Sequence, residues 1–377
     1  MKAFQLTFLT LLPIAFLHGH PGHDGLAPGL RTWKDPSGRF SVQAKFQKLV
    51  DGKAYLRKGD GTVLAVSLAR LSKEDQEWAT NPPQPTQDPF QKFPKLKTRM
   101  DKEFLYIESD GIPAHPMMVG ITAWQQQVPI PQPYHGDNAW RIPLHPVPAK
   151  SPMSAKTNFF RGAIALAING VPIFNPIKND GRTDTFLAGE LDKWGGHCGR
   201  ADDYHYHIAP VHLQEKVGLG HPIAFALDGY PIYGFQHEGE PLDKLNGHKG
   251  PAGNYHYHAT KEYPYLNGGF YGEVVEQNGA VSPQPRGRPI RPATRPLRGA
   301  VITGFSRPSD RRYKVDYKVQ GEGRSVDYEI APDGKVTFQF IGPSGTETEV
   351  HTPRTSQKGS KPRPAGKRPK PNRKPPK

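Results

Sequence analysis

A mainly β, multidomain chain is what this sequence predicts, and three observations carry the prediction. Short segments that alternate apolar and polar residues recur along it, as half-buried strands do. Glycine and proline together exceed a fifth of the 377 residues, well above the usual share of about 12%, so turns and linkers dominate over long helices. The length exceeds what one compact core needs, while only 35% of residues are hydrophobic, so several small cores are expected. The expected order is a small β-barrel, a β-rich central domain with an internal duplication, a small C-terminal antiparallel sheet and a disordered basic tail.

Residues 1–19 read as an export signal. A basic start at Lys2 precedes an apolar run from Phe4 to Leu17, too short to cross a bilayer, and small residues near Gly19 offer a cleavage point. No later stretch is apolar enough for a membrane helix. The expected location is therefore secreted, or periplasmic and envelope-associated. Cys198 is the single cysteine, so no internal disulfide can form.

Residues 28–82 form the first module. Phe40 to Phe46 alternates, and Lys53 to Leu68 reads as two strands around the Gly59-Asp60-Gly61 turn. Ser72 supplies a side-chain cap for one short helical stretch to Trp78. Short strands closed by a helical turn suit an SH3-like barrel. The stretches Arg31-Thr-Trp33, Gly38-Arg-Phe40, Asp51-Gly-Lys53 and Leu71-Ser72-Lys-Glu-Asp75 resemble the Sla homology domain of fungal endocytic adaptors. That resemblance implies recognition of short Asn-Pro-Phe-type peptides, in a family that works with ubiquitin, clathrin and the actin cytoskeleton. Export would remove the cytoskeletal and ubiquitin roles and leave binding of a short extended peptide or protein, or a spacer.

A Pro/Gln linker follows at 83–96, then the central domain at 97–285. An Arg/Pro linker at 286–298 leads to a small β domain at 299–351, where Tyr313–Val319, Ser325–Ile330 and Lys335–Phe340 alternate cleanly. The net charge of +15 is concentrated in two places. Five arginines of the Arg/Pro segment and ten lysines or arginines of the tail at 352–377 account for all of it, and neither stretch holds an acid. The folded parts are close to neutral. The tail is expected to meet an anionic polymer rather than nucleic acid.

The central domain repeats itself. Ile164 to Phe174 matches Ile223 to Tyr233, each an apolar strand, an Asn-Gly or Asp-Gly turn and a Pro-led strand. Further on, Leu191-Asp-Lys193 matches Leu242-Asp-Lys244, His197 matches His248, and Tyr204-His205-Tyr206-His207 matches Tyr255-His256-Tyr257-His258. Two similar halves related by a pseudo-twofold follow. Residues two apart on a strand share a face, so His205 and His207 point together, with the tyrosines opposite. The connection from His197 is long enough to fold the first histidine back to the pair. The candidate metal ligands are His197, His205, His207, His248, His256 and His258, as two separate sites or as one across the twofold. Imidazole chemistry puts copper or zinc first. The bland alternative is six histidines stacked and hydrogen-bonded in a polar core.

Cys198, Asp202 and Asp203 flank the first motif where the second has Lys249, Gly253 and Asn254, which makes the first half the candidate for reactivity. Cys198 is a thiolate ligand or a buried thiol; Asp202 and Asp203 orient an imidazole or cap the turn. His20, flanked by His18 and His23, would become a copper-chelating N-terminus after cleavage or remain part of a tether. His115, His135, His145, His212, His221 and His237 lack repeat partners and read as surface or loop residues. On Ala167 to Pro176, Gly195-Gly-His-Cys-Gly199, Asp228 to Gly234 and Tyr255 to His258, residues 160–285 resemble the YHYH domain family, a resemblance that brings no established activity. Two functions stand: a metalloprotein, with hydrolase or oxidase chemistry open, and an exported adaptor whose histidines are structural.

Overall fold

The structure is a computed structural model that describes residues 30–80, 89–235, 241–250 and 254–353. The expected export signal at 1–19, the histidines at 18, 20, 23 and 237, the first part of the Pro/Gln linker (83–88) and the basic tail beyond 353 lie outside the described residues.

The N-terminal module is an antiparallel meander of β1 (Leu30–Lys34), β2 (Ser41–Val50), β3 (Lys53–Lys58) and β4 (Val63–Ser67), followed by α1 (Lys73–Thr80). The expected barrel is not closed: the outer strands β1 and β4 do not pair among the described residues. Trp33, Ala44, Phe46, Ala54, Leu56 and Leu71 fill a core of its own. Ser72 caps α1 as the sequence predicts, its Oγ accepting the Asp75 N–H at 3.2 Å. Asp75, itself buried, ties the helix to β1 by accepting the Lys34 N–H and pairing with Arg31.

In the central region β5 (Lys97–Met100), β6 (Phe104–Glu108) and β7 (Trp140–Pro143) make a three-stranded sheet, and β8 (Pro148–Ser154) pairs with a strand described below. The duplication itself forms one eight-stranded sheet. Its first half contributes β9 (Ala163–Ala167), β10 (Pro172–Phe174), β11 (Gly196–Cys198) and β12 (Tyr204–Tyr206); the short helix α2 (Leu213–Val217) follows. The second contributes β13 (Ala224–Ala226), β14 (Pro231–Phe235), β15 (Gly247–Lys249) and β16 (Tyr255–Ala259). The strand order, β11-β12-β10-β9-β13-β14-β16-β15, is a palindrome. Its axis falls between β9 and β13, which pair antiparallel with Ala165 opposite Ala226 and Ala167 opposite Ala224. The tight turns after β9 and β13 need a residue with positive φ, supplied by Gly170 (φ 80°) and Gly229 (φ 92°). Cβ atoms there would sit 2.7 Å from Ser109 Cβ and from the Pro143 carbonyl, so glycine is required for packing as well.

Beyond the repeat, β17 (Gly269–Gly272) pairs with β8, and β18 (Glu276–Gln277) with β19 (Ala280–Val281). The C-terminal sheet is a five-stranded antiparallel meander: β20 (Ala300–Ser306), β21 (Arg312–Val319), β22 (Glu322–Ile330), β23 (Val336–Gly342) and β24 (Gly345–His351). The last strand, β24, escapes the sequence pattern because it is exposed along nearly its whole length and has no apolar alternation to show. The buried residues of this sheet are continuous with those of the central region. Trp124 packs edge-on to Tyr317 at 4.9 Å, and the Tyr328 hydroxyl donates to the Pro129 carbonyl at 2.6 Å.

The Arg/Pro segment 286–298 runs between these sheets as a strap. Arg286 and Arg288 donate their N–H groups to Asn138 and Gln132, and Leu297 donates to the Trp124 carbonyl. Arg291 is buried and forms two 2.8 Å bonds to the equally buried carboxylate of Asp202. Among the described residues, no helix is long and apolar enough to cross a membrane.

Candidate metal centres

Each half of the sheet ends in a hairpin that carries three histidines. In the first, β11 and β12 place His197 directly opposite His205; in the second, β15 and β16 place His248 opposite His256. The third histidine, two residues along, joins the same face because side chains alternate. The fold-back of the first histidine thus takes the form of a strand pairing.

Within the first triad His207 Nε2 lies 3.1 Å from both His205 Nε2 and His197 Nε2. In the second, His248 Nε2 lies 3.2 Å from His258 Nε2. In each triad one ring nitrogen from every histidine falls within 4.8 Å of the others. Two ligands of a tetrahedral ion with metal–nitrogen bonds of about 2.0 Å are about 3.3 Å apart, so the spacing suits one ion per triad. The alternative of a single site across the twofold is not formed. Four strands separate β12 from β16, which at about 4.8 Å per strand step puts the triads roughly 24 Å apart.

The far ring nitrogens explain why the near ones face each other. His205 Nδ1 is 2.9 Å from the Asp203 carbonyl, and His207 Nδ1 is 2.7 Å from that of Asn175. At equivalent positions His256 Nδ1 meets the Asn254 carbonyl at 3.4 Å and His258 Nδ1 the Gly234 carbonyl at 3.1 Å. A carbonyl only accepts, so each Nδ1 carries the proton and each Nε2 presents a lone pair. His197 is held by the main chain of Glu190. Burial keeps His197, His205 and His207 well below the usual histidine range, His207 at about 4, so the rings are neutral at pH 7. Neutral imidazoles with convergent lone pairs repel one another unless a cation sits between them. Of the six, His197 alone is not fully buried.

The tyrosines of the two motifs occupy the opposite face and are structural. Tyr204 donates to Asp192 at 2.8 Å and Tyr255 to Asp243 at 3.0 Å. Both aspartates also accept main-chain N–H groups of their own loop, from Trp194 and Gly196 and from Leu245 and Gly247. A Cβ at Gly196 or Gly247 would collide with the tyrosine hydroxyl, so glycine opens the way to the carboxylate. Tyr206 accepts from Asn169 at 3.0 Å, and Tyr257 donates to Asp228 at 2.6 Å. These anchors were visible in the sequence as the matched Leu-Asp-Lys and Asn/Asp-Gly stretches, yet spacing alone gave no reason to join them to the tyrosines.

The asymmetric residues divide. Cys198 is a buried free thiol, cross-strand from Tyr204 and outside the triad; burial pushes its thiol well up. Asp202 is committed to Arg291 and holds the Val128 and Ile130 N–H groups, so it orients no imidazole. Asp203 does, through its carbonyl, with its carboxylate 3.7 Å from His205 Nδ1. Two histidines expected on the surface are half-buried instead. His115 stacks on Trp194 at 4.7 Å and bonds the Tyr206 hydroxyl at 2.8 Å, and His212 packs edge-on to both His115 and Trp194.

Comparison with known proteins places two recognisable regions on this chain. Residues 139–239 match the family described as YHYH protein, and residues 27–84 match SLA1 homology domain 1, SHD1. The chain therefore carries an SHD1 module followed by a YHYH region. The N-terminal module is 47% identical over 49 residues to the actin cytoskeleton-regulatory complex proteins SLA1 of Candida albicans and sla1 of Sclerotinia sclerotiorum, and 43% identical to SLA1 of Yarrowia lipolytica. Each match covers 13% of this chain and 4% of the relative. No solved structure matches the chain.

Proposed function

We propose that this is an exported metal-binding protein with two mononuclear tri-histidine centres for copper or zinc, joined to a module that grips a short extended peptide or protein. The observation that carries the metal reading is the convergence of Nε2 lone pairs in His197, His205 and His207, repeated in His248, His256 and His258. A polar core that merely used six histidines would direct their nitrogens to separate donors and acceptors. Here main-chain carbonyls hold the Nδ1 protons of His205, His207, His256 and His258 outward and leave their other nitrogens to a shared cation. A bound ion would supply charge neutralisation and a position for a further ligand.

Peptide binding rests on the likeness to SHD1 and the SLA1 proteins, and only on that module. Export rests on the composition of residues 1–19, and contact with an anionic polymer on the acid-free basic run at 352–377. The second reading, an adaptor whose histidines are structural, makes an opposite forecast in one experiment. Full-length protein stripped with chelator, reloaded and desalted should retain two equivalents of copper or zinc. His207→Ala and His258→Ala should each retain one, and the double variant none. Wild-type protein without stoichiometric metal would leave the adaptor reading alone.

A further inference from the structure

The segment 286–298 carries five arginines, no lysine and no acid, a composition that suits a solvated linker. The fold makes it part of a surface instead. Arg286 donates its main-chain N–H to Asn138 at 3.1 Å and accepts from that side chain at 3.2 Å, and the Arg288 N–H donates to Gln132 at 2.8 Å. Further along, Gln126 donates to the Arg295 carbonyl at 2.9 Å, and the Leu297 N–H to the Trp124 carbonyl at 3.0 Å. Ile290 and Leu297 pack against the core, and Pro289, Pro292 and Pro296 fix φ along the run. The groups that hold the strap are neutral apart from Asp202, whose charge Arg291 cancels. The other four arginines, Arg286, Arg288, Arg295 and Arg298, are exposed. Among the described residues no carboxylate pairs with them and no hydrogen bond engages their guanidinium groups.

We propose that the strap is a preformed binding surface for a carboxylate-bearing polysaccharide, read by Arg286, Arg288, Arg295 and Arg298. This extends the anionic-polymer contact of the tail to a site built into the fold, and it is independent of the metal centres. The four cations lie along a row of at most about 40 Å on a main chain that is already fixed. Binding there costs little of the chain freedom that a loose basic run must give up. The guanidinium fork matches a planar carboxylate with two parallel hydrogen bonds, which a lysine cannot do. Nucleic acid is a poorer occupant, because the strap has no aromatic residue on which a base could stack. A lipid surface is poorer too, because Ile290 and Leu297 are packed against the core.

The test uses the full chain with its ten tail cations replaced by glutamine, so that the tail cannot answer for the strap. Polygalacturonate is the probe, and its binding is measured across a fourfold rise in salt. This tail-neutral chain should bind and weaken about 50-fold over that range, the effect of four cations on an extended polyanion. Each single Arg→Gln change in the strap should lower the log–log salt slope by about 0.7, and the fourfold change should abolish binding. Glutamine at Arg39, Arg182, Arg311 and Arg312, exposed arginines elsewhere, should leave binding unchanged. Melting points check that every variant is folded. Binding by the unaltered chain but not by the tail-neutral one would overturn the strap site and leave the tail's contact standing. Equal losses in the strap and control variants would overturn it too, as would full binding after the fourfold change. Tighter strap-dependent binding of single-stranded DNA of matched charge would overturn the choice of partner.

Discussion

Arg291→Met removes the guanidinium that binds Asp202 from the strap and leaves a side chain of similar reach. Both partners are about 3% exposed, and the pair is joined by two 2.8 Å bonds. Asp202 keeps one further donor to its carboxylate, the Val128 N–H at 2.9 Å, which is too little for a buried charge. Breaking such a pair on one side costs about 3–5 kcal/mol, because the other ion stays desolvated without its partner. The variant also loses the bond from Arg291 to the Gln126 carbonyl and the packing of the guanidinium over Phe338. Asp202→Asn should cost a similar amount by stranding the cation. Combined, the two substitutions bury no net charge, so the double variant should recover most of the loss, with a coupling of about 0.5–3 kcal/mol or more in the cycle. Denaturant unfolding at pH 7, followed by tryptophan fluorescence, measures all four proteins; Trp124 against Tyr317 reports whether the C-terminal sheet has come away. A loss below about 1 kcal/mol in Arg291→Met, the value expected of an exposed pair, would refute the claim that the strap is held by a buried ion pair. A double variant as unstable as the sum of its parents would refute the account of why.

Metal should raise thermal stability, by about 2.7 kcal/mol per centre at 100 times its Kd, and chelator should reverse it; an unchanged melting point would count against resident ions. Tyr204→Phe removes a hydrogen bond to the buried Asp192 carboxylate and should cost about 1.5–3 kcal/mol, whereas Tyr255→Phe, whose partner Asp243 is exposed, should cost about 0.5–1.5 kcal/mol, neither abolishing metal binding. Burial pushes the Asp228 carboxyl up to about 6 from 3.8. Its protonated form is the one the fold prefers, so its contribution is fully present below pH 3.8 and lost as pH rises through 6. Wild-type stability minus that of Asp228→Asn should therefore fall by up to about 3 kcal/mol between those limits, and parallel pH profiles would refute the shift. On an anionic column the full chain should elute at higher salt than residues 1–351; equal elution would remove the tail as the anchor.

What the sequence disclosed is what local pattern and repetition can carry. The alternation of Tyr313–Val319 and its neighbours announced strands, Ser72 announced a helix cap, and the matched histidines announced two triads. What stayed hidden depends on contacts between distant residues. Arg291 sits in a stretch whose composition reads as a solvated linker, and only the presence of Asp202 89 residues earlier turns it into a buried strap. The Asn175 and Gly234 carbonyls that set the histidine protons have no side-chain signature at all. Parallel pairing of β10 with β12 and of β14 with β16 is likewise invisible to a reading that expects hairpins.

The palindromic strand order has a consequence for how the sheet came to be joined. Ala165 opposite Ala226 and Ala167 opposite Ala224 is a register that maps onto itself when the halves are exchanged. The repeat is therefore arranged as a homodimer would be, with two protomers meeting along one edge strand and then threaded onto a single chain. Each half ends at the axis in a strand, β9 or β13, whose free main-chain edge would be an adhesive surface if left bare. Fusion gives that edge a permanent partner at an effective concentration no separate subunit could match. It also frees the two outer hairpins from having to remain identical, which a true dimer would impose. Phe174 and Tyr233, or Asp203 and Asn254, could then diverge one at a time.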